Sequence, residues 1–172
     1  ADMAQAHSLG VRLAKRDIKA MYRQSLLGYV WAVFPPLITS LIWIFLNSQR
    51  VVNIDTPGYP YPLFVLSGTV LWGIFAESMQ GPILGLQTGK ATLTKINFPR
   101  ESLILSGLYR VLFNTGIKLA LLIVVFGAFM FVPGVYAPFS ILGIASLMLL
   151  GMSIGVLLSP IAMLYIDIQR GI

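Results

Sequence analysis

Cysteine is absent, and histidine occurs once, as His7, in a chain of 172 residues. Without a thiol there is no disulfide framework, no thiolate nucleophile and no thiolate metal site. One imidazole in a polar N-terminal stretch does not make a histidine-based metal site either. Charge is the second scarcity. Only 10% of the residues are Asp, Glu, Lys or Arg, against about 25% in soluble domains. The six acidic residues are scattered and form no catalytic constellation. What the chain has instead is apolar surface: 57% of its residues are hydrophobic and the mean hydropathy is +0.84. A soluble core of this size cannot hide so much of it, so lipid is the expected solvent.

The apolar residues fall in runs near the roughly 20 residues that an α-helix needs to cross about 30 Å of hydrocarbon. Four crossings are predicted, at residues 28–46, 61–83, 112–132 and 139–165, in an all-α, polytopic membrane fold. The third is placed to start near Leu112: the run from Leu103 carries Arg110 and Lys118 in its first half, and its charge-free part, residues 119–132, is too short alone. Pro133, Gly134 and Pro138 mark the turn that follows. The net charge of +6 is no nucleic-acid signature, since the cations sit between apolar runs. Arg12, Lys15, Arg16, Lys19 and Arg23 precede the first run, Lys90, Lys95 and Arg100 lie in the middle, and Arg170 is near the end. The intervening loops hold only Arg50. The positive-inside rule then places the N-terminus, the middle segment and the C-terminal tail in the cytoplasm. The opening does not read as a signal peptide, because its basic stretch is too long and no small-residue cleavage site follows.

Residues 8–27 predict a helix ahead of the first crossing. Its five cations Arg12, Lys15, Arg16, Lys19 and Arg23 share an arc of roughly 100°. Val11, Ala14, Ile18, Met21 and Tyr22 fall on an adjacent arc. Such a helix lies in the membrane interface, its apolar strip among headgroups and its cations toward anionic lipid and water. It serves either as a topology anchor or as a cytoplasmic collar that also meets a partner.

Three further features have modest readings. GLQTGKAT (residues 85–92) has three residues between its glycines and Ala91 after Lys90. A phosphate-binding loop needs four, then Lys and a hydroxyl. ATP is therefore expected on another polypeptide. Glu77, with Ser78 and Gln80 nearby, is the one acid within a predicted crossing. It is a functional intramembrane carboxylate, an interfacial helix end in water, or one half of an ion pair with Arg110 or Lys118. Pro35 and Pro36 each remove a donor inside the first run and predict a kink.

MYRQSLLGYVWAVFPPL (residues 21–37), LTKINFPRE (93–101) and LYIDIQR (164–170) resemble the permease subunits of the ABC-2 type polysaccharide exporters. Those proteins move lipid-linked O-antigen, capsular polysaccharide or teichoic acid across the bacterial cytoplasmic membrane. The resemblance implies a permease homodimer, normally with six crossings per protomer, above two ATPase subunits that bind ATP and magnesium. The chain itself is then a transport subunit with no enzyme activity and no cofactor. It would cover four of the six crossings, stopping at Ile172. Residues 8–27 correspond to the family's interface helix and residues 84–100 to its coupling segment, with Lys95, Phe98, Pro99, Arg100 and Glu101 as the recognisable end. Trp31, Phe34, Trp43, Tyr59, Tyr61 and Trp72 are the aromatic side chains available to line a glycan channel, or to form the ordinary interfacial belt. A permease for lipid or drug, and a membrane scaffold without transport, are the alternatives.

Overall fold

The computed structural model describes residues 2–23, 28–52, 54–56, 58–93, 100–131, 134 and 138–162, with backbone alone at 2–9, 21–23, 29, 88–93, 100 and 101. Among these the regular structure is helical: α1 (Asp2–Arg23), a 3-10 turn (Gly28–Ala32), α2 (Phe34–Ser48), α3 (Tyr61–Leu93), α4 (Arg100–Ala128) and α5 (Phe139–Ala162). Three helices carry stretches long and apolar enough to cross a membrane, at Tyr61–Gln87, Ser102–Ala128 and Phe139–Ala162. α2 is apolar but shorter.

The expected first crossing is thus built from two pieces. Pro35 and Pro36 do not kink a continuous helix; they stand in the first turn of α2, where the missing amide hydrogens have no intrahelical acceptor to lose. Fifteen residues of α-helix rise about 22 Å. Hydrogen bonds from Val33 N to Val30 O (3.0 Å) and from Leu37 N to Val33 O (3.2 Å) carry the 3-10 turn into it.

α3 lies at the centre, packed against α2, α4 and α5, while α1 lies along α4. Leu66, Val70, Ile74, Val111 and Met148 form the buried core, flanked by Leu37, Leu121, Leu122, Val125 and Ile144. Lipid tails are as apolar as leucine, so burial alone does not hold membrane helices together; close backbone approach does. On α5, Gly151 meets Phe75 O at 2.9 Å, measured from where a methyl would stand, and Gly155 meets Met79 O. Gly107 of α4 meets Gly81 O, and Gly85 of α3 meets Leu103 O. Pro82 is fully buried at this second seam, in the space that Gly107 leaves. α3 therefore does not end at residue 83 but continues through Pro82 to Leu93.

α2 and α4 close with the same cap. Val51 N bonds Leu46 O and Arg50 N bonds Asn47 O; Phe131 N bonds Phe126 O and Met130 N bonds Gly127 O, all at 3.0 or 3.1 Å. These paired bonds are Schellman closures, whose pivot is usually glycine. Here the pivots are Arg50 (φ 55°) and Met130 (φ 51°). α4 accordingly ends at Ala128, short of the expected residue 132.

Candidate functional site: an intramembrane ion pair and the surfaces around it

Lys118 Nζ lies 2.8 Å from Glu77 Oε1, joining α4 to α3 within their apolar stretches. The lysine side chain is 3% exposed and the glutamate 32%. A buried cation persists in such surroundings only when paired. Of the two partners weighed for Glu77, the structure selects Lys118. Arg110 makes other interactions. α4 begins at Arg100, and its apolar stretch Ser102–Ala128 contains Lys118. Lys118, inside the expected third crossing, is accommodated because Glu77 neutralises it. Gly73, one turn before Glu77, gives the ammonium its room, since a methyl there would stand 3.1 Å from Nζ. Thr115, one turn from Lys118, is buried in the same layer.

Hydroxyls add a second tie. Ser40 Oγ donates to Pro36 O at 2.6 Å and Thr69 Oγ1 to Leu66 O at 3.0 Å, and the two hydroxyls lie 2.9 Å apart, linking α2 to α3.

The six candidate channel aromatics are not gathered on one wall. Trp31 and Phe34 meet edge to face at 5.2 Å, where the 3-10 turn enters α2. Toward the far end of α2, Tyr61 OH donates to Trp43 O at 3.4 Å. Tyr59 packs on Phe131 (4.8 Å) and Phe126 (6.4 Å), a pair themselves 5.9 Å apart. That cluster pins the α2–α3 loop to the cap of α4, and burial raises the Tyr59 hydroxyl above its ordinary pKa of 10.0. Trp72, beside Phe75, is 68% exposed on α3. A recess of about 390 Å³ opens beside Asn47, Ile54, Asp55, Thr56 and Tyr61.

Arg12, Lys15, Arg16 and Lys19 are all exposed on α1. The apolar strip expected on this helix is divided: Ala14 is buried, Ile18 is half-buried and Val11 is exposed. Of the candidate coupling residues, Arg100 and Glu101 form the first turn of α4. The first part of the 84–100 segment is the continuation of α3. Lys95, Phe98 and Pro99 lie outside the described residues, as does the side chain of Arg23. Sequence reasoning missed the glycine seams, although the four-residue spacings Gly81–Gly85 and Gly151–Gly155 were visible signals of close helix packing. Among the described residues no group of acids and histidine is placed to hold a metal.

Long apolar helices joined at glycine seams, with an ion pair buried between two of them, define a polytopic all-α membrane protein. The chain is similar to O-antigen export system permease proteins. It is 30% identical to RfbA of Myxococcus xanthus over 123 residues, covering 72% of this chain and 46% of that protein. It is 26% identical to RfbA of Klebsiella pneumoniae over 165 residues, covering 93% and 61%. A second Klebsiella pneumoniae RfbA is 30% identical over 96 residues, covering 56% and 36%. The resemblance to permease subunits of the ABC-2 type polysaccharide exporters is thereby borne out. The chain spans about half the length of the curated relatives it matches. No family model and no solved structure matches it.

Proposed function

We propose that the chain is part of the transmembrane subunit of an ATP-driven exporter of lipid-linked polysaccharide, of O-antigen or capsular type, in the bacterial cytoplasmic membrane. The likeness to an O-antigen export permease over 93% of the chain carries this reading, and the all-α bundle agrees with it. In this reading the subunit hydrolyses nothing itself. Two copies pair above two separate ATPase subunits, with α1, residues 84–100 and the C-terminal tail on the cytoplasmic side. The apolar surface of α2 and of the 3-10 turn before it, with Trp31, Phe34, Ile38, Leu41, Ile42, Trp43 and Phe45 all exposed, suits an element that meets a second copy, cargo or lipid. Aromatic rings on that surface and at Trp72 offer stacking surfaces to sugar rings.

The test uses the full-length protein in its own organism. Deleting the gene should abolish long-chain glycan at the cell surface while lipid-linked glycan accumulates inside, and restoring it should reverse both. Unchanged surface glycan would refute the cargo. In the same background, Phe98→Ala should reduce ATPase co-purification by about thirtyfold in affinity, as loss of a buried aromatic anchor worth roughly 2 kcal/mol does. Normal co-purification and export would remove the coupling role from this segment.

A further inference from the structure

Thr115 and Glu77 bring two unanswered polar atoms to one level of the α3–α4 seam. Contacts on either side fix that level. Toward one end, Gly81 of α3 faces Val111 of α4, with 2.8 Å between Val111 Cγ2 and the place a methyl on Gly81 would take. Toward the other, Gly73 faces the Lys118 ammonium at 3.1 Å, measured the same way. The two helices run antiparallel here, so Glu77, midway between Gly73 and Gly81, stands opposite the stretch between Val111 and Lys118. Thr115 occupies that stretch, one turn from each, which puts all three side chains on one face of α4. Val111, Thr115 and Lys118 are each only 3% exposed.

The hydrogen bonds of this layer do not close on protein atoms alone. Lys118 Nζ meets Glu77 Oε1 at 2.8 Å. Glu77 Oε2 and Thr115 Oγ1 are both buried, and neither has a hydrogen-bond partner among the described residues. Buried serines elsewhere in the bundle satisfy their hydroxyls locally: Ser40, Ser78 and Ser159 each donate to the carbonyl one turn earlier. Thr115 does not. Buried polar groups left unpaired are costly and rare, so the two atoms call for a ligand.

Its chemistry follows from theirs. The charges of Lys118 and Glu77 cancel, so the ligand is neutral. It must donate to Oε2, because a carboxylate oxygen only accepts. It can share a bond of either direction with the Thr115 hydroxyl and accept from a second N–H of Lys118. Both atoms are enclosed by the bundle, so a sugar or a lipid headgroup does not reach them. Water is small enough, and buried waters typically make about three hydrogen bonds of this kind.

We infer that the α3–α4 seam binds a water molecule at this level, donating to Glu77 Oε2 and hydrogen-bonded to Thr115 Oγ1 and Lys118 Nζ. The ion pair is then part of a network of four, in which Thr115 is the positioning residue. The site is independent of what the protein exports. Removing the hydroxyl takes a partner from the water and leaves the charges in place, so its effect depends on the carboxylate being present.

Cryo-electron microscopy of the full-length protein in lipid nanodiscs, at a resolution that shows ordered water, tests the site itself. Density within hydrogen-bonding distance of both Glu77 Oε2 and Thr115 Oγ1 is expected. A site without density overturns the inference, as does a Thr115 hydroxyl turned onto Val111 O or bonded directly to Glu77. Thermal unfolding gives a second reading. T115V keeps the shape of the side chain and should lower the melting temperature by a few degrees. A dry, unpaired hydroxyl predicts the reverse, and a gain in stability would overturn the water. In the E77M/K118M background no carboxylate remains to be hydrated, and T115V should then cause no loss. Equal losses in the two backgrounds would show that the hydroxyl acts apart from the pair, which ends the shared site.

Discussion

Lys118 and Gly73 fit one another across the α3–α4 seam: the ammonium occupies the space that a side chain at position 73 would take. The ion pair with Glu77 depends on that vacancy, because an ammonium pushed aside by a bulkier residue must lengthen its 2.8 Å contact.

Removing either partner of the pair should destabilise the fold, and unequally. Glu77→Met leaves the ammonium of Lys118 enclosed and should cost about 3 kcal/mol or more, as broken buried pairs do. Lys118→Met leaves a carboxylate that is less enclosed by the bundle, 32% exposed against 3% for the lysine, so its cost should be smaller. The double methionine variant should recover most of the loss. Thermal unfolding of the four proteins in one detergent measures this; additive losses in the double variant would show that the two residues do not act as a pair.

Two glycines of α5 should respond in opposite ways to the same change. Gly155→Ala puts a methyl against Met79 O and should cost about 1–3 kcal/mol, the range for overpacking a tight contact. Gly143→Ala meets nothing within 4 Å and should be neutral or slightly stabilising, since alanine favours the helix. Equal melting temperatures for the two variants would contradict the α3–α5 seam.

Arg50 and Met130 hold left-handed backbone conformations that cost a side-chain-bearing residue roughly 1–2 kcal/mol. Arg50→Gly and Met130→Gly should each raise stability by up to about 1 kcal/mol, the remainder being offset by added freedom in the unfolded chain. A lower melting temperature in both variants would argue against the two caps.

Tyr59 supplies a pH test. Burial holds its pKa above the ordinary 10.0, so the folded state keeps a proton that the unfolded state gives up. The stability linked to this proton is complete below pH 10 and is lost as pH rises through the folded value. Melting curves between pH 9 and 11 should show a steeper alkaline decline for wild type than for Tyr59→Phe. Identical slopes would mean that Tyr59 does not titrate from a buried site.

The apolar runs announced helices because their composition admits no other solvent, and the all-α polytopic fold follows from that. Their ends were harder to read where a long-range partner changes the local meaning of a residue. The partner of Glu77 stayed open between Arg110 and Lys118 because both cations are remote from it in sequence. Pro82 removes a helical bond within α3, yet the helix continues because the ring fits beside Gly107. Arg50 and Met130 carry no glycine signature of a helix end, so the caps they form were invisible. The aromatic residues were found without their grouping, because edge-to-face pairs such as Tyr59 with Phe131 depend on how the α2–α3 loop meets the end of α4.

The glycine seams on two sides of α3 have a mechanical meaning. A notch that seats a backbone carbonyl is a keyway, and keyed shafts do not slide by small amounts. To shift along α3, either α4 or α5 would have to leave one set of notches and find another, a step on the order of a full helical turn of about 5.4 Å. The three helices therefore travel as one block. α2 is tied to that block by the hydroxyl pair Ser40–Thr69, the Tyr61 hydroxyl on Trp43 O and ordinary side-chain packing, and so is held to it without such a key.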